Sequence, residues 1–196
     1  MAAHIALVTA REALALDEDM SPLVLALQSA GASVATPCWD DPSVDWGSFD
    51  KAVLRSTWDY VDRLEEFLDW TERCSEQTRL VNPPAVVRWN IDKHYLVELA
   101  QAGVAVVPTR FVEPGADGRT ELDRFLAGGR GAFTVGTCAA FGQFVVKPSI
   151  GAGSRDAARY TRARLDKAHA HVDRLLATGR GTMLQPYLDR VDAYGE

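Results

Sequence analysis

Cysteine is scarce in this chain: Cys38, Cys74 and Cys138 are the three among 196 residues. An odd, widely spaced set excludes a fully paired disulfide framework and contains no CxxC metal pair. Such usage fits a reducing cytoplasm, the expected location. No apolar run reaches the roughly 18 residues of a membrane-spanning helix. The opening Met-Ala-Ala-His-Ile-Ala-Leu-Val has no basic region and runs directly into a strand pattern, so it does not read as a signal peptide. Positive charge is also short: 21 basic against 27 acidic side chains give a net charge of −6, the wrong balance for nucleic acid. Several motifs are missing. GxxxxGK[ST] is absent, which excludes a Walker A loop. GxSxG is absent, which disfavours a serine hydrolase. Thr9-Ala-Arg-Glu-Ala13 follows the first strand without a glycine, which excludes a dinucleotide-binding oxidoreductase. His169 and His171 stand two apart and point to different helix faces, so they are not a metal pair. His94 reads as a surface or half-buried residue rather than a base. Cys138 has no partner in sequence that would make it a nucleophile.

What remains is ordinary globular material, 47% hydrophobic and 24% charged, long enough for one large domain or two small ones. The charge is uneven. Residues 1–92 hold 16 acids and 7 bases, whereas residues 93–196 hold 11 acids and 14 bases. That step suggests two units with different partners, although solvated surfaces also differ in charge without consequence. The periodicity predicts strands over 4–9, 33–36, 49–55 and 80–81 and helices over 20–30 and 64–74. This βαβ-like order implies a small parallel sheet covered by helices, assigned to residues 1–84. Beyond it the spacing predicts helices over 90–102, 120–127 and 166–177. Strands are expected over 104–107, 143–147 and 182–185, with a flexible loop at Gly128–Gly131.

Four places concentrate chemistry. The strand ending at Lys147 leads into Pro148–Arg155, where Gly151, Ala152 and Gly153 let backbone N–H groups approach an anion and Ser149 and Ser154 add hydroxyls. Taken alone, the loop reads more simply as an ordinary turn. Lys93, within Arg88-Trp-Asn-Ile-Asp-Lys-His94, falls in the first turn of an expected helix. There it can help hold a phosphate or stand as a solvated lysine. Met183-Leu-Gln-Pro-Tyr-Leu188 joins an apolar strand to a strap whose backbone edge suits an adenine, with Leu184 and Tyr187 as apolar walls; a buried strand end is the alternative. Arg55, Ser56, Thr57, Asp59 and Tyr60 follow the third strand, where open α/β sheets place ligands. Thr57 or Asp59 could instead cap the next helix.

The joint order of these places resembles the ATP-grasp ligases, and within them the group related to the O-ureido-serine cyclo-ligase of cycloserine biosynthesis. The resemblance rests on Arg55-Ser-Thr-Trp-Asp-Tyr60, Asn82-Pro-Pro-Ala85, Arg88-Trp-Asn-Ile-Asp-Lys-His-Tyr95, Val107-Pro-Thr109, Val145-Val-Lys-Pro148, Gly151-Ala-Gly-Ser-Arg-Asp156 and Gln185-Pro-Tyr-Leu188. It implies an α/β chain: a small parallel-sheet N-terminal domain, then an incomplete ATP-grasp α+β domain over residues 85–196. It also implies an ATP-dependent ligase that forms an acyl phosphate on an amino-acid-derived substrate and releases ADP. Lys93 and Lys147 would hold ATP, the Ser149–Ser154 loop would cover the triphosphate, and Gln185, Pro186, Tyr187 and Leu188 would form the adenine hinge. Asp192 or Glu196 would sit near the ribose, and Arg155 is the catalytic candidate. Arg55, Ser56, Thr57 and Asp59 would face the acceptor. The family's Mg²⁺ ligands lie downstream of the hinge, so this chain is expected to be an N-terminal fragment, inactive alone. A non-catalytic nucleotide-binding module is the alternative. No nucleic-acid or membrane partner is expected, and the oligomeric state, a homodimer included, is left open.

Overall fold

The computed structural model describes residues 2–129, 134–135 and 141–194. The chain divides into two compact units, Met1–Asn90 and Ile91–Glu196. The division falls six residues beyond the expected boundary at 84, and Pro84 is the first residue of a helix that ends at Ile91.

The first unit is a parallel four-stranded sheet in the order β2-β1-β3-β4, formed by β1 (His4–Thr9), β2 (Ser33–Ala35), β3 (Lys51–Ser56) and β4 (Arg79–Val81). Helices α1 (Met20–Ser29), α2 (Leu64–Gln77) and α3 (Pro84–Ile91) complete it. Ala6, Leu7 and Val8 of β1 and Ala52 of β3 are buried, the short apolar runs that a helix-covered parallel sheet requires. On α2 the buried set is Phe67, Leu68, Trp70, Thr71 and Cys74, one helical stripe. Trp39 packs edge-on to Phe67 at 5.3 Å, and Trp46 packs edge-on to Trp70 at 5.1 Å, the geometry that aromatic quadrupoles favour.

The second unit begins with α4 (Tyr95–Gln101) and continues through β5 (Thr109–Val112), α5 (Gly118–Leu126), β6 (Thr134–Val135), β7 (Gln143–Pro148), β8 (Ala158–Thr161), α6 (Leu165–Ala177), β9 (Thr182–Pro186) and α7 (Arg190–Tyr194). Its five strands form a sheet in the order β6-β5-β9-β7-β8, antiparallel at every pairing. Strand alternation gives the sheet two different faces. Val112, Phe144, Val146 and Leu184 join Leu122, Phe125, Val172 and Leu175 in one core against α5 and α6. The opposite face carries Phe111, Lys147 and Met183, with Gln185 paired to Val145.

Three expectations are corrected. The helix predicted over 90–102 begins only at Tyr95, as α4; Asn90 and Ile91 end α3, and the chain breaks between the two helices at Asp92-Lys93-His94. There the N–H of Lys93 donates to the Ser149 carbonyl at 3.1 Å instead of continuing the helical ladder. The strand expected over 104–107 begins after Pro108, at Thr109, because proline cannot donate to a central ladder. The sequence reading passed over β6, β8 and α7. They are short, and in β8 the pattern Ala-Arg-Tyr-Thr carries too little apolar character to stand out. Arg130 and Gly131 of the expected loop, Cys138 and Glu196 lie outside the described residues. Among the described residues no helix is long and apolar enough to cross a membrane.

Candidate functional site

In the second unit, Lys147 projects from the face of β7 opposite the α5–α6 core, at the strand's C-terminal end. It lines a cleft of about 140 Å³ with Lys93, Pro148, Gly151, Ala152, Gly153, Ser154, Arg155 and Ala157. The two lysines therefore come together from positions 54 apart in sequence. Burial pushes the Lys93 ammonium's pKa down, and the Lys147 ammonium pushes it further, opposed in part by Asp92. Like charges held close in a partly desolvated cleft form a site that gains from an anion.

The loop that closes the cleft is held at its start. Ser149, 4% exposed, donates its N–H to the Gly181 carbonyl at 2.8 Å. A Cβ on Gly181 would stand 2.8 Å from Ser149 Oγ, so a side chain there would force the Ser149 hydroxyl to move. Lys93 Nζ donates to the carbonyls of Ser149 at 3.2 Å and Gly151 at 3.0 Å. Gly153, Ser154 and Asp156 have φ of 59°, 56° and 59°, a left-handed region that glycine enters freely and other residues reluctantly. Gly153, Ser154 and Arg155 are exposed, while Gly151 and Ala152 are half-buried.

The turn that presents Lys93 is braced by His94. The His94 ring lies between two carboxylates, with Nδ1 2.6 Å from Asp92 and Nε2 2.9 Å from Glu113, and stacks on Phe111 at 4.0 Å. An imidazole flanked by two acids cannot be recognised from spacing, because Glu113 is 19 residues away.

At the expected hinge, β9 is paired on both sides, to β5 and to β7. Leu184 is fully buried in the core, so it is no ligand wall. The Gln185 amide donates to Thr109 Oγ1 at 2.8 Å and is itself buried. The pairing runs on past Pro186, where the Tyr187 N–H donates to the Gln143 carbonyl at 2.9 Å. The Arg159 guanidinium lies 3.5 Å over the Tyr187 ring. The Tyr187 hydroxyl donates to Asp192, which also accepts from Arg159 at 3.1 Å. These two bonds hold the Asp192 carboxyl below its usual range, and the Tyr187 phenol lies above its own. Leu188 is exposed.

In the first unit, the residues after β3 have partners of their own. Arg55 donates to Asp17 at 2.6 Å and to Asp19 at 3.2 Å. Ser56 is fully buried, its hydroxyl 2.8 Å from that of Thr9. Thr57 is 7% exposed. Asp59 accepts from Trp39 Nε1 at 2.9 Å and lies 3.7 Å from Arg63. These contacts order the end of the sheet, whatever else the residues do.

Residues 5–82 match the family described as the N-terminal domain of D-cycloserine synthetase DcsG. The chain is 43% identical over 192 residues to the cycloserine biosynthesis protein DcsG of Streptomyces lavendulae, covering 98% of this chain and 61% of that protein. The crystal structure of D-cycloserine synthetase DcsG superposes with a TM-score of 0.81 at 42% identity, over 98% of this chain and 62% of that one. The chain resembles the ATP-grasp ligases of the D-cycloserine synthetase group. A RimK domain ATP-grasp protein from Sphaerobacter thermophilus shares the fold, with a TM-score of 0.61 at 21% identity over 95% of this chain and 64% of that one. The chain thus spans less than two thirds of the length of the relatives it matches. In this ATP-grasp fold Lys147 stands on the sheet face turned away from α5 and α6 and lines the cleft with Lys93 and the glycine-bearing loop.

Proposed function

We propose that the second unit binds the adenine nucleotide of an ATP-dependent ligase, with the cleft of Lys93 and Lys147 taking the phosphates. The observation that carries this reading is the convergence of two ammonium groups and a glycine-bearing loop on one cleft, with Lys93 poised by burial and by its neighbour to gain from a bound anion. Lys93 and Lys147 neutralise phosphate oxygens as point charges. Ser149, Gly151, Ala152, Gly153 and Ser154 supply amides and hydroxyls around them. Arg155, at the loop's exposed end, is the candidate to stabilise charge on the transferred phosphoryl group. Gln185, Pro186, Tyr187 and Leu188 form the adenine side, with Asp192 or Glu196 near the ribose. Arg55, Ser56, Thr57 and Asp59 are assigned to the acceptor.

The reaction assigned to the whole protein is attack of a substrate carboxylate-type oxygen on the γ-phosphorus, which gives an acyl phosphate and ADP. A nucleophilic nitrogen then displaces phosphate. The acceptor is amino-acid-derived, as the cycloserine relative suggests, and the setting is antibiotic biosynthesis in the cytoplasm. Mg²⁺ shields phosphate charge in such chemistry when bound. Among the described residues no group of three or more His, Cys, Asp or Glu side chains could hold a metal ion, and phosphate binding is assigned here to the lysines and amides. A second reading is a nucleotide-binding module without catalysis, and ADP release separates the two.

The test is calorimetric titration of ATP. Lys147→Ala is expected to weaken binding by about 10-fold, the size of one charge-assisted contact. Unchanged affinity removes Lys147 from the site.

A further inference from the structure

We infer that Asp156 is a positioning residue for the nucleotide phosphates, acting as the rear anchor of the loop that covers them; this rests on the nucleotide reading above. The loop runs from the end of β7 at Pro148 to the start of β8 at Ala158. Its front is fixed by Ser149 on Gly181 and by Lys93. Its crest, Gly153 to Arg155, is exposed. A loop fixed at one end only would leave the crest amides without a defined direction, and a backbone cradle works only if its N–H groups are already aimed.

Behind the crest, and ahead of the β7–β8 pairing that begins at Ala158, Asp156 supplies the second fixed point. One carboxylate oxygen accepts from Arg174 Nη1 of α6 at 3.0 Å, and the other accepts from Arg180 Nη2, in the turn before β9, at 2.6 Å. Both oxygens are thus bound to cations from two different elements of the same unit. The Arg180 and Arg174 guanidiniums hold the carboxyl below the usual carboxylate range. At the backbone, Asp156 has a φ of 59°, two residues after Ser154 at 56°. The Ala157 N–H closes the turn by donating to the Ser154 carbonyl at 3.0 Å. Two non-glycine residues in the left-handed region need surroundings that hold them there, and the double ion pair provides this for the second.

Asp156 does not line the two-lysine cleft. It lines the groove on the other side of the loop, with Tyr160, His171 and Arg174. It therefore acts on the phosphates only through the loop, which carries Gly151 to Ser154 on the cleft side.

The experiment titrates ATP and AMP, by calorimetry, into the full-length protein, its Asp156→Asn and Asp156→Glu variants, and Lys147→Ala. AMP lacks the two outer phosphates and so reports on the rest of the site. Asp156→Asn removes the charge that binds both arginines. It is expected to weaken ATP by about 10-fold while AMP changes by less than about twofold. Asp156→Glu, which keeps the carboxylate, restores most of the loss. Arg180→Gln removes one arm and gives the same pattern at about threefold, which keeps the test alive if Asp156→Asn fails to fold. Equal losses for ATP and AMP, or unchanged ATP affinity in Asp156→Asn and Arg180→Gln, overturn the positioning role. A wild-type protein that binds no ATP, or a Lys147→Ala variant that binds it normally, overturns the nucleotide reading instead.

Discussion

Lys93 Nζ lies 3.0 Å from the carbonyl oxygen of Gly151, so the first lysine of the cleft is tied to the loop that follows the second. The same ammonium that is assigned to a phosphate also holds the loop's leading turn. Lys93→Met removes both functions while keeping the side chain's length and apolar stem. ATP affinity is expected to fall by about 10-fold, and trypsin is expected to cut faster after Arg155 in the variant. Calorimetry and limited proteolysis followed by mass spectrometry read the two effects separately.

The depressed pKa of Lys93 sets a pH dependence. Burial and the Lys147 ammonium favour its neutral form, so it loses its proton below the ordinary 10.5. A bound phosphate favours the charged form and restores that proton. Binding should therefore take up protons in the alkaline range, and affinity should decline as pH rises through the depressed value. In Lys147→Ala the repulsion is gone and the decline moves to higher pH. Titrations between about pH 7 and about pH 10, in buffers of different ionisation enthalpy, measure the uptake; none at any pH would contradict the arrangement.

Arg55 is expected to affect stability before it affects any substrate. Its partner Asp17 has a side chain only 2% exposed, whereas Arg55 itself is 28% exposed. Arg55→Ala strands a buried carboxylate, at a cost of about 2 kcal/mol after allowing for solvent on the arginine side. Urea denaturation measures it. Adding Asp17→Asn to the same chain should recover part of the loss. An Arg55→Ala protein of wild-type stability but poor turnover would place Arg55 on the acceptor alone.

Burial pushes the Cys74 thiol up to about 12. Only the thiolate reacts with alkylating reagents, so Cys74 should remain unlabelled near neutral pH in the folded protein and label on unfolding. Cys38 is half-buried and its thiol is also raised, so it should label slowly. Peptide mapping after iodoacetamide treatment distinguishes the two sites. Rapid labelling of Cys74 in the native state would show that α2 detaches from its sheet.

Helices with a clear stripe, such as Leu64–Gln77 and Leu165–Ala177, and strands made of short apolar runs, such as His4–Thr9, were legible because the hydrophobic period is a local property. The strand that ends in Lys147 was legible for the same reason, and so was the small-residue loop after it. The break between α3 and α4 was not. Residues 90–102 keep a helical period throughout, and what breaks the ladder is a hydrogen bond from the Lys93 N–H to the Ser149 carbonyl, 56 residues on.

The sequence by itself determined the alternation of strands and helices in the first unit, the placing of Lys147 at a strand end and the freedom of the glycine loop, because these depend on propensity and period over a few residues. Tertiary structure decided that Leu184 and the Gln185 amide are buried, that Arg55 is paired to Asp17, that His94 is gripped by Asp92 and Glu113, and that Asp156 is clamped by Arg174 and Arg180. Alternation along a strand says that two faces differ, but only the packing of α5 and α6 against one of them says which is core. Desolvation and charge pairing act through space, and apart from Asp92, two residues before His94, the deciding partners here lie 18 to 76 residues apart.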